Sequence, residues 1–134
     1  MSAPAVDRID HIVLTVADVQ KTCDFYSRVL GMEVQSFVPP QDGVPRVSLH
    51  FGLNKINLHK AGSEFKPHAR APSSGTGDFC MITTTPIEQA ADHLRSCGVT
   101  IEEGPVKRLG AKGPMMSIYF RDPDGNLLEL SNYG

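Results

Sequence analysis

Residues 10–34, DHIVLTVADVQKTCDFYSRVLGMEV, and residues 78–104, DFCMITTTPIEQAADHLRSCGVTIEEG, carry one plan twice: strand, cap, amphipathic helix, glycine, strand. In the first copy Ile12, Leu14 and Val16 alternate with His11, Val13 and Thr15, the period of a half-buried strand. Asp18 then serves as an N-cap. Val19, Cys23, Tyr26 and Leu30 recur at helical spacing, and Gly31 ends the helix as its C′ residue. In the second copy Thr85 is the expected N-cap, Pro86 the first helical residue and Glu88 the capping-box partner. Ile87, Ala90, Ala91 and Leu94 form its apolar stripe, and Gly98 its stop.

Three short strand candidates follow each helix: 33–38, 46–51 and 55–59 in the first half, then 100 or 105 to 109, 116–120 and 126–130 in the second. Asp122-Pro123-Asp124-Gly125-Asn126 is a turn between the last two. A stretch rich in proline, serine and glycine, 61–75, links modules spanning about 8–60 and 76–133. The expected fold class is α+β: two paired βαβββ modules whose eight strands form a curved sheet around a cleft. At 134 residues they share the core of a single domain, with no need of staples.

A formal net charge of −2 and a pI near 6.2 give no electrostatic footprint for nucleic acid. No stretch reaches the length of a membrane span, and MSAPAVDRID lacks a basic start followed by an apolar run. The expected partner is a small-molecule substrate and the expected location cytoplasmic. Cys23, Cys80 and Cys97 are scattered, form no CxxC pair and are read as buried, unreactive thiols.

With the copies aligned on their leading aspartates, the first strands offer His11 and Phe79 at matched positions. The last strands, in FGLNKINLH and FRDPDGNLLEL, offer His59 and Glu129. Strand alternation puts Ile56 and Leu58 on one face and Asn57 and His59 on the other, and likewise opposes Leu128 and Leu130 to Glu129. His11, His59 and Glu129 therefore fall on the face turned away from the helices. Two imidazoles and a carboxylate suit one divalent ion such as Zn, Ni, Mn, Co or Fe(II), with coordination positions left open. Of the remaining residues, His50 and Phe79 are candidate substrate contacts in the cleft. His68, in the linker, is either solvated or a further ligand. Lys107 and Arg108, with Lys112 and Arg70, either hold a substrate carboxylate or form a solvated basic loop.

DHIVLTV, DFYSRVLGMEV and YFRDPDGNLLELSNY together make the chain resemble the vicinal oxygen chelate superfamily of glyoxalase I, methylmalonyl-CoA epimerase, extradiol dioxygenases, and fosfomycin and bleomycin resistance proteins. The resemblance runs over residues 9–133, and INLH and GPMMSIYFRDPDGN bring it closest to the glyoxalase domain-containing group. It implies one divalent metal in the cup of paired βαβββ modules. His11 stands at the first-strand ligand position, His59 at the fourth-strand one and Glu129 at the last-strand glutamate, while Phe79 replaces a histidine. The implied activity is that of a lyase or isomerase working through an enediolate, with Glu129 as the foremost proton acceptor and His59 the second. A ring-cleaving dioxygenase with non-haem iron and a non-catalytic small-molecule binding or resistance protein are the alternatives. The resemblance also implies a homodimer, in which His11 and His59 come from one chain and Glu129 from the other.

Overall fold

The computed structural model describes residues 2–134, which form eight strands and two helices. The first module comprises β1 (His11–Val16), α1 (Val19–Leu30), β2 (Glu33–Phe37), β3 (Arg46–Phe51) and β4 (Asn54–Lys60). The second comprises β5 (Asp78–Ile82), α2 (Ile87–Ser96), β6 (Glu103–Gly110), β7 (Gly113–Arg121) and β8 (Leu127–Tyr133). The strands divide into two mixed four-stranded sheets, ordered β1-β4-β3-β2 and β5-β8-β7-β6. In each sheet the first strand runs parallel to the last and the remaining pairs are antiparallel.

The helix ends follow from local chemistry. The Asp18 carboxylate accepts from Lys21 N at 3.1 Å and starts α1; Gly31, at φ 66°, ends it in the left-handed region. The expected cap of α2 differs. Helix α2 begins at Ile87, so the flanking position falls on Pro86, which has no side-chain acceptor, and Thr85 lies one residue too early to cap; its N–H donates to the Thr83 hydroxyl. Each helix lays its apolar stripe on one face of its own sheet: Phe25, Tyr26 and Val29 over Leu49, Ile56 and Leu58, and Ile87, Ala91 and Leu94 over Ile118, Leu128 and Leu130. These residues belong to one continuous core shared by both modules. The other face of each sheet stays open.

The 122–126 turn ties the modules together as well as joining β7 to β8. Asp122 is buried and accepts from the Tyr26 hydroxyl at 2.6 Å, from Asp124 N and Asn126 N, and from Asn126 Nδ2 at 2.8 Å. The Asp124 carboxylate takes the Ala17 N–H at 2.9 Å, at the entrance to α1. Asn126 Oδ1 accepts from Gly77 N at 2.7 Å and fixes the chain just before β5, as Asn54 Nδ2 fixes it just before β1 by donating to Ile9 O and Asp10 O.

The two modules can be superposed residue by residue through their strand pairings. His11 pairs with Lys55 and Asp78 with Leu127, each one residue past its asparagine. Val13 with Asn57 then corresponds to Cys80 with Glu129, and Thr15 with His59 to Ile82 with Ser131. This register corrects the alignment of the repeats. The counterpart of His11 is Asp78 rather than Phe79, and the counterpart of Glu129 is Asn57 rather than His59. The connection from first strand to helix is one residue longer in the second module, so an alignment anchored on Asp10 and Asp78 slips by one there and exchanges the two faces of β5. Phe79 accordingly packs with Met81 against the core.

Candidate functional site

On the open face of the first sheet the register lays out three rows. They are His11, Lys55, His50 and Glu33; Val13, Asn57, Ser48 and Gln35; and Thr15, His59, Arg46 and Phe37. His11 and His59 share this face and line one hollow of about 360 Å³. They do not sit side by side. Four residues of β4 separate their rows, about 13 Å at roughly 3.3 Å per residue.

His11 is the group best prepared to ligate. Its Nδ1 lies 2.8 Å from the Asp10 carboxylate, so Nδ1 carries the proton and Nε2 keeps its lone pair. The Asp10 carboxyl is held below the usual carboxylate range chiefly by that hydrogen bond. His59 is in a different setting, edge-on to the linker ring of Phe65 with centroids 5.3 Å apart, while the Arg46 guanidinium lies 3.5 Å from the same ring's centre. His59 Nδ1 is buried without a hydrogen-bond partner. Burial lowers the imidazole below its ordinary value; the charges of His68 and Arg46 act the same way and Glu64 opposes them.

The open face of the second sheet carries Asp78, Cys80, Glu129, Tyr119, Ser131 and Ser117. Glu129 is half-buried, opposite Tyr119, with Ser131 Oγ donating to it at 3.4 Å. The Tyr119 hydroxyl accepts from Arg108 Nε at 3.0 Å, and Arg108 Nη2 donates to Glu103 at 2.8 Å, so the guanidinium is already engaged. Burial raises the Tyr119 phenol; the Glu129 carboxylate adds to this and Arg108 opposes it. Cys80 departs from its expected burial: it is exposed beside Glu129, with Sγ 3.3 Å from Ser131 Oγ. Burial nonetheless raises its thiol, which keeps it from being an activated nucleophile.

The remaining expected residues are scattered. His50 shares the face of His11, its Nε2 2.9 Å from Ser48 Oγ. His68 donates from Nδ1 to Ala69 O in the linker and lines a second cavity with His59, Pro67 and Phe79. Lys107 is exposed and alternates with Arg108, so the two basic side chains leave β6 on opposite faces. Among the described residues no three histidine, cysteine, aspartate or glutamate side chains converge closely enough to cage a metal ion. The donor set is chemically suited to a divalent cation, with one oriented imidazole, two carboxylates and the Asn57 amide. Within a single protomer it is divided between two faces. Aligning Asn54 with Asn126 brings out Asn57 as the counterpart of Glu129, whereas Asp78 emerges as the counterpart of His11 only from the parallel strand pairings.

Among the described residues no helix is long and apolar enough to cross a membrane. Virulence protein STM3117 of Salmonella typhimurium is 49% identical over 96% of this chain and 85% of its own. Its crystal structure superposes with a TM-score of 0.91 over 98% of this chain and 100% of that one. Glyoxalase domain-containing protein RDO1 of Mycosarcoma maydis is 50% identical over 96% of this chain and 70% of its own. Human mitochondrial methylmalonyl-CoA epimerase is 31% identical over 92% of this chain and 72% of its own. A profile of the Glyoxalase/Bleomycin resistance protein/Dioxygenase superfamily matches residues 8–130, and the chain belongs to that superfamily.

Proposed function

We propose that the protein is a divalent-metal-dependent isomerase or lyase of the glyoxalase I type, acting on a small oxygenated substrate at a site shared between two copies of the chain. The observation that carries this reading is the matched placement of donors. His11 and Asn57 on the open face of one module occupy the same register positions as Asp78 and Glu129 on the other. A homodimer supplies the partner face. Its formation would also cover Ile82, which is exposed on the open face of the second sheet. His11 Nε2, Glu129 and Asp78 would hold the ion, with Asn57 beside them and His59 at the far end of the substrate hollow.

The ion, when bound, supplies Lewis-acid polarisation of a substrate oxygen. The chain supplies the proton chemistry. Glu129 would accept a proton from the carbon next to the polarised group and return it to the neighbouring carbon on the same face, a transfer that moves one hydrogen with no net gain or loss of protons or electrons. Tyr119, fixed by Arg108, holds the wall beside Glu129. His59, neutral because of its burial, is the second group able to take a proton, at the opposite end of the hollow.

Calorimetric titration of chelator-stripped protein with Zn, Ni, Mn, Co and Fe(II) tests the assignment. Wild type should bind one ion per protomer, His11→Ala and Glu129→Gln should each weaken it at least tenfold, and both variants should keep the wild-type fold by circular dichroism. Equal, weak binding by all three would leave no metal site and favour a small-molecule binding protein.

A further inference from the structure

The hollow beside His11 has a charge that neither the fold nor the metal requires. Within one protomer its lining carries Arg46, Lys55 and Lys66 and no carboxylate, in a chain whose formal net charge is −2, and the shared site proposed above would bring carboxylates only to its His11 end. Among the described residues Lys55 and Lys66 have no carboxylate within ion-pair distance, whereas Arg46 is paired with Asp42 at 2.8 Å. Cationic groups gathered in a concave wall, two of the three outside ion-pair distance of a carboxylate, focus their field on whatever anion enters.

One end of the hollow is also rigid. Phe65, from the linker, is stacked by the Arg46 guanidinium and stands nearly perpendicular to the His59 ring, which fixes the planes of both groups. The His59 ring lines the wall there, with its Nδ1 sealed from solvent. Glu64 lies near His59, but it accepts the Gly62 N–H at 2.9 Å and is not part of the lining.

We infer that this hollow binds a small organic acid, its carboxylate at the Arg46, His59 and Lys66 end and its other oxygen-bearing carbons toward His11 and Lys55. Val13, Phe37 and Phe65 offer apolar surface to the carbon chain between the two ends. The chemistry at the His11 end rests on the proposed function; the carboxylate subsite stands on its own lining.

The test is a titration of chelator-stripped, full-length protein at low salt with butanoate, succinate and phenylacetate, each beside its neutral amide, followed by calorimetry. At least one acid should bind saturably while its amide does not, and binding should weaken as salt is raised. Lys66→Gln should weaken the acid about tenfold, the loss expected for one charge-assisted hydrogen bond. In a separate titration Lys66→Gln should keep wild-type metal affinity, so a failure of the metal assignment and a failure of the acid subsite give different results. The inference is overturned if none of the acids binds, if the amides bind as well as the acids, or if Lys66→Gln binds acid like wild type.

Discussion

Tyr26→Phe removes a single hydroxyl from the middle of the molecule and should be felt by both modules. Tyr26 is fully buried in α1, and its hydroxyl donates at 2.6 Å to Asp122 in the β7–β8 turn of the other module. Burial, with the adjacent Asp122 carboxylate, pushes the phenol far above its ordinary range, so it acts only as a neutral donor. A hydrogen bond to a charged acceptor contributes about 1.5–3 kcal/mol, and phenylalanine leaves the ring packing in place. Unfolding entropy scales with length, so for 134 residues each kcal/mol corresponds to about 3.6 °C and the variant should melt about 5–11 °C lower. Asp122→Ala should lose more, because that carboxylate also accepts from Asp124 N, Asn126 N and Asn126 Nδ2. Differential scanning calorimetry reads both. A Tyr26→Phe variant melting within about 1 °C of wild type would refute the claim that this bond ties the modules together.

Two further outcomes follow from single residues. Because burial lowers the His59 pKa from 6.5, the unfolded chain binds more protons than the folded one as pH falls below that value. The stability His59 contributes is thus present above about pH 6.5 and lost as pH drops through its lower folded value, so His59→Gln should flatten the fall in urea midpoint on acidification; an unchanged pH profile would count against this. At Gly104, φ is 111° and an added Cβ would lie 2.3 Å from Ser117 O, so Gly104→Ala should force β6 off β7 and lower the melting temperature more than Ala substitution at the open, exposed Gly43. Equal effects at the two glycines would show that β6 yields without cost.

The alternation of Ile12, Leu14 and Val16, the Asp18 and Gly31 caps and the turn at 122–126 are local signals, and the modules follow from them. Register is harder to read because a one-residue slip changes no composition yet turns every side chain of a strand over. The longer 83–86 connection hid such a slip in β5, which concealed Asp78 and made Cys80 look buried and Phe79 look like part of the cleft. In β8 the slip was two residues. A two-residue shift preserves the face, so Glu129 reads on the open side although its true counterpart is Asn57. The clasp of Tyr26 with Asp122 joins residues 96 positions apart, and nothing local announces it. Nor does sequence spacing show that the 61–75 linker brings Phe65 back over His59 and Arg46.

The claim that the site is shared between two copies is tested most directly by mixing chelator-stripped His11→Ala and Glu129→Gln proteins, allowing the subunits to exchange, and counting tightly bound divalent ions by equilibrium dialysis. In a mixed dimer one site joins the intact His11 of one protomer to the intact Glu129 of the other, while the second site loses both. Random exchange should therefore restore about a quarter of the wild-type sites, although neither variant binds tightly alone. If exchange is verified by mass and no sites return, the donors do not meet across two copies and the shared-site account is wrong.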